Sequence, residues 1–147
     1  MDQIETPLTW RQDGLLGKVY DLCSGQAVVG TLRFDSALGS RATADVDGTV
    51  WTFKRLGFLR TSVTVRADGS EDDLAVFRNN TWSGGGTLEF PDGSAWRANT
   101  NFWHTQFEFV DGDDRPLVRY HMRQRLKLNG EMEVLPAASR LLERPWL

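Results

Sequence analysis

Apolar and polar residues alternate with a period of two over much of the chain. Trp103, Thr105, Phe107 and Phe109 fall on one face of an extended run, and His104, Gln106 and Glu108 fall on the other. Successive side chains of an extended chain point to opposite sides, so this pattern predicts a half-buried strand and not a helix. The same parity places Val118, Tyr120, Met122, Leu126 and Leu128 on one side of a long run from Leu117 to Leu128. Further runs at Tyr20 to Cys23, Ala27 to Phe34, Arg41 to Val46, Thr49 to Arg55, Thr61 to Arg66, Leu74 to Arg78, Gly86 to Phe90 and Ala95 to Thr100 are separated by turn residues. Those at Ser24-Gly25-Gln26, Asp47-Gly48, Asp68-Gly69, Pro91-Asp92-Gly93 and Asp111 to Arg115 suit reversals, because Asp-Gly pairs supply the positive φ angles that tight turns need. The last hairpin is expected to reverse at Asn129-Gly130 before a strand from Glu131 to Leu135.

Strands this short and this regularly spaced predict a sandwich or a barrel. A degenerate repeat favours the barrel. Gly30-Thr31-Leu32-Arg33-Phe34 returns as Gly86-Thr87-Leu88-Glu89-Phe90, and Asp47-Gly48-x-x-Trp51 returns as Asp92-Gly93-x-x-Trp96. Two similar meanders side by side imply a closed antiparallel β-barrel with approximate internal symmetry, and closure removes unpaired edges. After Pro136 the run Ala137 to Arg144 contains helix formers, with Pro136 suited to a first-turn position, so a short C-terminal helix is expected from about Pro136. The fold class is therefore all-β, closed by antiparallel pairing, with one terminal helix.

Composition bounds this picture. At 147 residues, 40% apolar and 25% charged, the chain has the size and grease of one domain spanning residues 1–147. A single cysteine, Cys23, excludes an intrachain disulfide framework and fits a reducing compartment. Residues Met1 to Pro7 are acidic where a signal peptide would be basic, and no apolar run approaches the ~20 residues of a membrane-spanning helix. A cytoplasmic protein without a transmembrane segment is expected. The net charge of −3 argues against a dedicated nucleic-acid binder.

The sequence resembles the tubby-like C-terminal fold, in particular the bacterial relatives of LURP-one-related and phospholipid-scramblase proteins. The likeness rests on Val29 to Phe34, on Gly48-x-x-Trp51-Thr52-Phe53-Lys54-Arg55-Leu56-Gly57-Phe58, on Thr81 to Leu88 and on Thr100 to Trp103, and it covers the chain from about Tyr20 onward. It implies a closed antiparallel barrel around a hydrophobic C-terminal helix. Relatives continue past the equivalent of Pro145-Trp146-Leu147 into a long apolar helix, where this chain stops. Two expectations follow: a chain truncated at the central helix, or a short helix from Ala137 that fills a narrower lumen together with inward aromatics.

No set of residues amounts to a reaction centre, so a non-enzymatic role is expected, with no cofactor. The acids cluster in turns, where Asp is favoured for backbone reasons. An EF-hand pattern laid on Thr43 to Lys54 matches Asp45, Asp47 and Gly48 but puts Lys54 at the bidentate Glu position, which excludes it. His104, His121 and Cys23 lack metal-ligand spacing. Gly84-Gly85-Gly86 leads into a strand and not a helix N-terminus, so it reads as a bend or bulge. One feature stands out: Arg119, His121, Arg123, Arg125 and Lys127 share one face of the last long strand. A cation near an anionic leaflet gains roughly 1 kcal/mol, so this strip is a candidate for phospholipid headgroups, at the inner membrane face, or for an acidic protein partner. The alternative is a small-molecule binder whose barrel mouth is walled by Trp51, Trp82, Trp96 and Trp103.

Overall fold

The structure, a computed structural model, describes residues 7–13, 18–35, 40–57, 61–80, 84–101, 103, 105–124, 128–136 and 138. Asp47 and Gly48 take positive φ, 51° and 77°, and Val46 pairs with Thr49 across them. The Asp-Gly pair thus makes the two-residue turn its chemistry predicts. The Asp45 carboxylate braces it by accepting the Gly48 N–H at 3.0 Å. Gly25, with φ 57°, turns the chain in the same way between Ser24 and Ala27.

The described residues form twelve strands: β1 (Leu8–Asp13), β2 (Val19–Ser24), β3 (Ala27–Phe34), β4 (Arg41–Val46), β5 (Thr49–Leu56), β6 (Ser62–Ala67), β7 (Asp73–Asn79), β8 (Gly86–Glu89), β9 (Ala95–Thr100), β10 (Gln106–Val110), β11 (Pro116–Gln124) and β12 (Leu128–Val134). Each pairs antiparallel with the next, and β1 pairs with β12, Leu8 opposite Met132 and Arg11 opposite Asn129. The closed antiparallel barrel expected from the alternation is therefore present.

Register then sorts the side chains. Around the inner wall Tyr20 faces Leu32, Leu32 faces Ala44 and Ala44 faces Trp51. The ring continues through Phe53, Val65 and Ala75, through Phe77, Leu88 and Trp96, and through Phe109, Val118 and Val134. Because the strands alternate in direction, the β2–β3, β4–β5, β6–β7, β8–β9 and β10–β11 connections lie at one end, the turn end, and the other connections lie at the mouth. The core sits toward the turn end. Leu8, Leu117, Val118, Met132 and Ala138 pack together there, Val65, Ala75, Leu88 and Phe90 form a second group, and Trp96 packs against both. Phe90 meets the Trp96 ring edge-on at 4.9 Å.

Three features differ from, or extend past, the sequence expectation. The last reversal is not at Asn129-Gly130: β11 runs to Gln124 and β12 begins at Leu128. Asn129 and Gly130 instead pair with Arg11 and Trp10 on one side and with Arg123 and Met122 on the other. Two ladders, one of which closes the barrel, outweigh the local preference of Asn-Gly for a turn. Gly130 is also suited to its place, since a Cβ there would come within 3.1 Å of the His121 carbonyl. The repeat is only half structural. The Asp-Gly-x-x-Trp copies are equivalent, each placing an inward Trp just past a turn-end reversal, but β3 runs toward the mouth and β8 runs away from it. At the C-terminus, Ala138 donates its N–H to the Leu135 carbonyl at 2.8 Å, a single 3₁₀-type turn that buries Ala138 against the core. No helix is present among the described residues, and the remainder of the expected helix lies outside them.

Candidate functional site

A ring of eight strands has an interior that side chains just fill; twelve strands enclose more. The lumen holds a cavity of ≈ 580 Å³ between the core and the mouth. Its wall is aromatic, with Trp10, Tyr20, Phe34, Phe77, Phe107 and Phe109, and the remainder includes Leu32, Tyr120 and Met122. Edge-to-face contacts fix these rings: Tyr20 on Phe34 at 5.8 Å, and Phe109 on both Phe77 and Tyr120 at 6.3 Å. This is the preferred geometry of aromatic pairs, and it gives the wall a defined shape. Small residues, Ala98, Gly85 and Gly130, border the cavity, and a larger side chain on the inward position of Ala98 would project into it.

The polar groups of the wall are few. Asn79 ends β7 at the rim, and Tyr20 and Tyr120 carry phenols. Desolvation pushes the half-buried Tyr120 phenol far above its ordinary value, so it stays protonated at any physiological pH. Glu108, His121 and Glu131 also border the cavity, but strand parity aims their side chains outward, and the Glu108 carboxylate accepts from Arg119 Nε on the outer face at 3.0 Å. The inward wall, among the described residues, thus carries no formal charge.

A second depression, of ≈ 600 Å³, lies on the outer face of β3, β4 and β5 and includes Thr31, Arg33, Thr43, Asp45 and Asp47. The lumen is the better candidate because its walls are apolar and aromatic with a few polar groups, which is what small-molecule sites share.

The residues singled out from the sequence are placed as follows. Arg119 lies on the outer face of β11 between Glu108 of β10 and Glu133 of β12, at 3.0 and 3.8 Å, so its charge is balanced on both flanks. His121 stands two positions further, opposite Gln106 and Glu131. Arg123 pairs with Asn129, and Arg125 and Lys127 lie outside the described residues. Trp51 is buried on the inner face of β5, and Trp96 is half-buried beside Phe90 in the core. Trp103 is 78% exposed at the mouth, and Trp82 lies outside the described residues. The structure does not gather Trp51, Trp96 and Trp103 around one cavity. Of the aromatics that do meet, Tyr20, Phe34, Phe77 and Phe107 show in the sequence only as strand residues, Trp10 lies on β1, a strand the sequence reading does not include, and the strand count and register that bring them together do not show there.

Cys23 is buried, and Arg11 donates to its sulfur from Nη2 at 2.8 Å and from Nε at 3.2 Å. Among the described residues there is no group of three or more His, Cys, Asp or Glu that could hold a metal ion, and no helix long and apolar enough to cross a membrane. Compared with family models, curated proteins and solved structures, the chain finds no match.

Proposed function

We propose that this protein binds a small apolar or amphipathic molecule in the barrel lumen. The observation that carries the reading is the uncharged aromatic cavity of ≈ 580 Å³, which falls within the ~300–1,000 Å³ of typical ligand sites. Flat or chain-like hydrocarbon groups fit such a wall, because edge-to-face rings present both π faces and hydrogen edges. The phenols and Asn79 set the few points at which a polar atom of the ligand gains a partner. A closed antiparallel barrel is the fold that the tubby-like resemblance implies. The anionic-headgroup reading of the β11 strip has less support, since Arg119 is already flanked by two carboxylates.

Titration with N-phenyl-1-naphthylamine, a neutral probe that fluoresces in apolar sites, tests the proposal. Saturable binding at one site, with displacement by long-chain fatty acids or alcohols, is the expected result. Ala98→Phe projects a ring into the cavity and should abolish it while leaving the near-ultraviolet dichroism of the barrel in place. A natively folded protein that binds no probe, or a folded Ala98→Phe variant that binds it unchanged, overturns the reading.

A further inference from the structure

The aromatic residues of the lumen stand on two walls. Trp10, Tyr20 and Phe34 belong to β1, β2 and β3, and Phe77, Phe107 and Phe109 belong to β7 and β10. Counted around the closed ring, β7 is five strands from β2 by way of β3 to β6, and β10 is four strands from it by way of β1, β12 and β11. The second set therefore looks back at the first across the barrel. Tyr120 and Met122 of β11 bridge the two walls on one side, while β4, β5 and β6 supply none of the lining among the described residues.

These walls are held in place. Tyr20 meets Phe34 edge-on, and Phe109 meets Phe77 in the same way. Phe77 is also seated over Gly86, where a Cβ would come within 2.6 Å of the ring carbon Cζ. A rigid wall rewards a rigid ligand. Flat ring systems gain aromatic contacts beyond the area they bury and lose no internal rotation on entry, whereas an alkyl chain must freeze its bonds one by one.

Polar atoms then decide which flat molecule fits. Among the described residues, no buried side-chain nitrogen or oxygen is without a hydrogen-bond partner. Tyr20 is only half-buried, and its hydroxyl makes no hydrogen bond among those residues. That hydroxyl is consequently not sealed in protein but opens on the cavity its ring lines. A phenol among aromatic rings calls for an acceptor, and the rings beside it supply none. Asn79 offers the opposite chemistry. Its Nδ2 donates to Thr61 Oγ1 at 3.3 Å, which leaves the amide oxygen, an acceptor, for anything in the lumen. A carbonyl oxygen is therefore attracted to Tyr20 on β2 and repelled from Asn79 on β7.

Resting on the lumenal binding already proposed, we infer that the ligand is a flat ring system carrying a carbonyl, and that Tyr20 selects it by donating its hydroxyl hydrogen to the carbonyl oxygen. Alkyl chains enter the same space but gain less from it. The two aromatic walls set the shape preference, and the one open phenol sets the polar preference.

Competition against N-phenyl-1-naphthylamine with fluorenone, fluorene and dodecanol tests this selection. Fluorenone and fluorene share a flat outline and differ at the carbonyl, and dodecanol is a flexible chain. In the unaltered protein dodecanol should compete about tenfold more weakly than fluorenone. Tyr20→Phe removes one hydroxyl and keeps the ring with its edge on Phe34, so the fluorenone-to-fluorene affinity ratio should fall about tenfold, as expected when a buried carbonyl loses its donor. Infrared spectra give a readout that needs no variant: the carbonyl stretch of bound fluorenone should lie below its frequency in hexane, because a hydrogen bond weakens the C=O bond. In Tyr20→Phe it should return toward the hexane value. An unchanged affinity ratio in the folded Tyr20→Phe protein, a bound stretch at the hexane frequency, or dodecanol competing as well as fluorenone overturns the inference, and probe binding in the same titrations keeps the lumen site standing. A natively folded protein that binds no naphthylamine removes the lumen site itself and this selection with it.

Discussion

Gly85 and Gly93 form a matched pair for measuring how closely the strands approach at the rim. Both have positive φ, 82° and 86°, so alanine at either position meets the same backbone penalty. Around Gly93 a Cβ would find nothing within 4 Å, whereas at Gly85 it would lie 2.1 Å from the Ala98 carbonyl oxygen and 3.0 Å from its carbon. Gly93→Ala should therefore cost about 1 kcal/mol, a left-handed penalty of ~1–2 kcal/mol partly offset by the lower entropy of the unfolded chain. Gly85→Ala carries the same cost and must also push β9 away, an overpacking term of ~1–3 kcal/mol. Its total is then about 2–4 kcal/mol. For a domain of this size each kcal/mol lowers Tm by about 2–4 °C, so thermal melts followed by dichroism should separate the two variants by several degrees. Urea titration should give the same ordering with unchanged m values. Because Gly85 borders the cavity, its variant should also bind the naphthylamine probe more weakly, while Gly93→Ala binds it as the parent does. Equal destabilisation by the two substitutions would refute the close approach of residue 85 to β9.

Two further outcomes follow from charged groups away from the lumen. A double-mutant cycle on Arg119→Met and Glu108→Gln should yield a coupling energy of about 1 kcal/mol, the upper part of the range for surface pairs, because both side chains are about three-quarters covered; a coupling indistinguishable from zero contradicts that geometry. The Asp111 carboxylate accepts the backbone N–H of Arg115 at 3.0 Å, that of Asp113 at 2.9 Å and the Arg115 guanidinium at 2.8 Å. The Arg115 N–H is the largest cause, and together these bonds hold its pKa below the usual 3.8 against the opposing effect of burial. Its stabilisation is complete above the unfolded-state pKa and is lost as pH falls through the lower folded-state value. Asp111→Asn should accordingly flatten the acid limb of the stability curve below about pH 4 and leave its shape near neutrality unchanged, as read by urea melts across that range.

The period-two pattern and the Asp-Gly turns determine most of this architecture, and they do so locally. Phe107 and Phe109 share a parity because neighbouring peptides are extended, whereas Trp103, expected on the same strand, falls in the turn before β10; Asp47-Gly48 turns because those two residues accept positive φ. The chain departs from local logic where distant partners compete. Asn129-Gly130 has the chemistry of a turn but becomes strand because Trp10 and Arg11, at the other end of the chain, supply a second ladder. The lumen shows the same limit. Each of Tyr20, Phe34 and Phe77 reads as one residue of one strand, Trp10 sits on a strand that the sequence reading does not include, and their meeting around a cavity depends on the number of strands in the ring.

The pairing of β1 with β12 has a kinetic consequence. Every other ladder joins strands adjacent in sequence and can zip from its own turn, whereas Leu8 must find Met132 across almost the whole polypeptide. The entropy of closing so long a loop exceeds that of a hairpin by about 3 kcal/mol, so this seam should form last and open first. Hydrogen exchange would then show the amides of Leu8 to Arg11 losing protection ahead of the hairpins around β5 and β6, as a sheet that unrolls along one line.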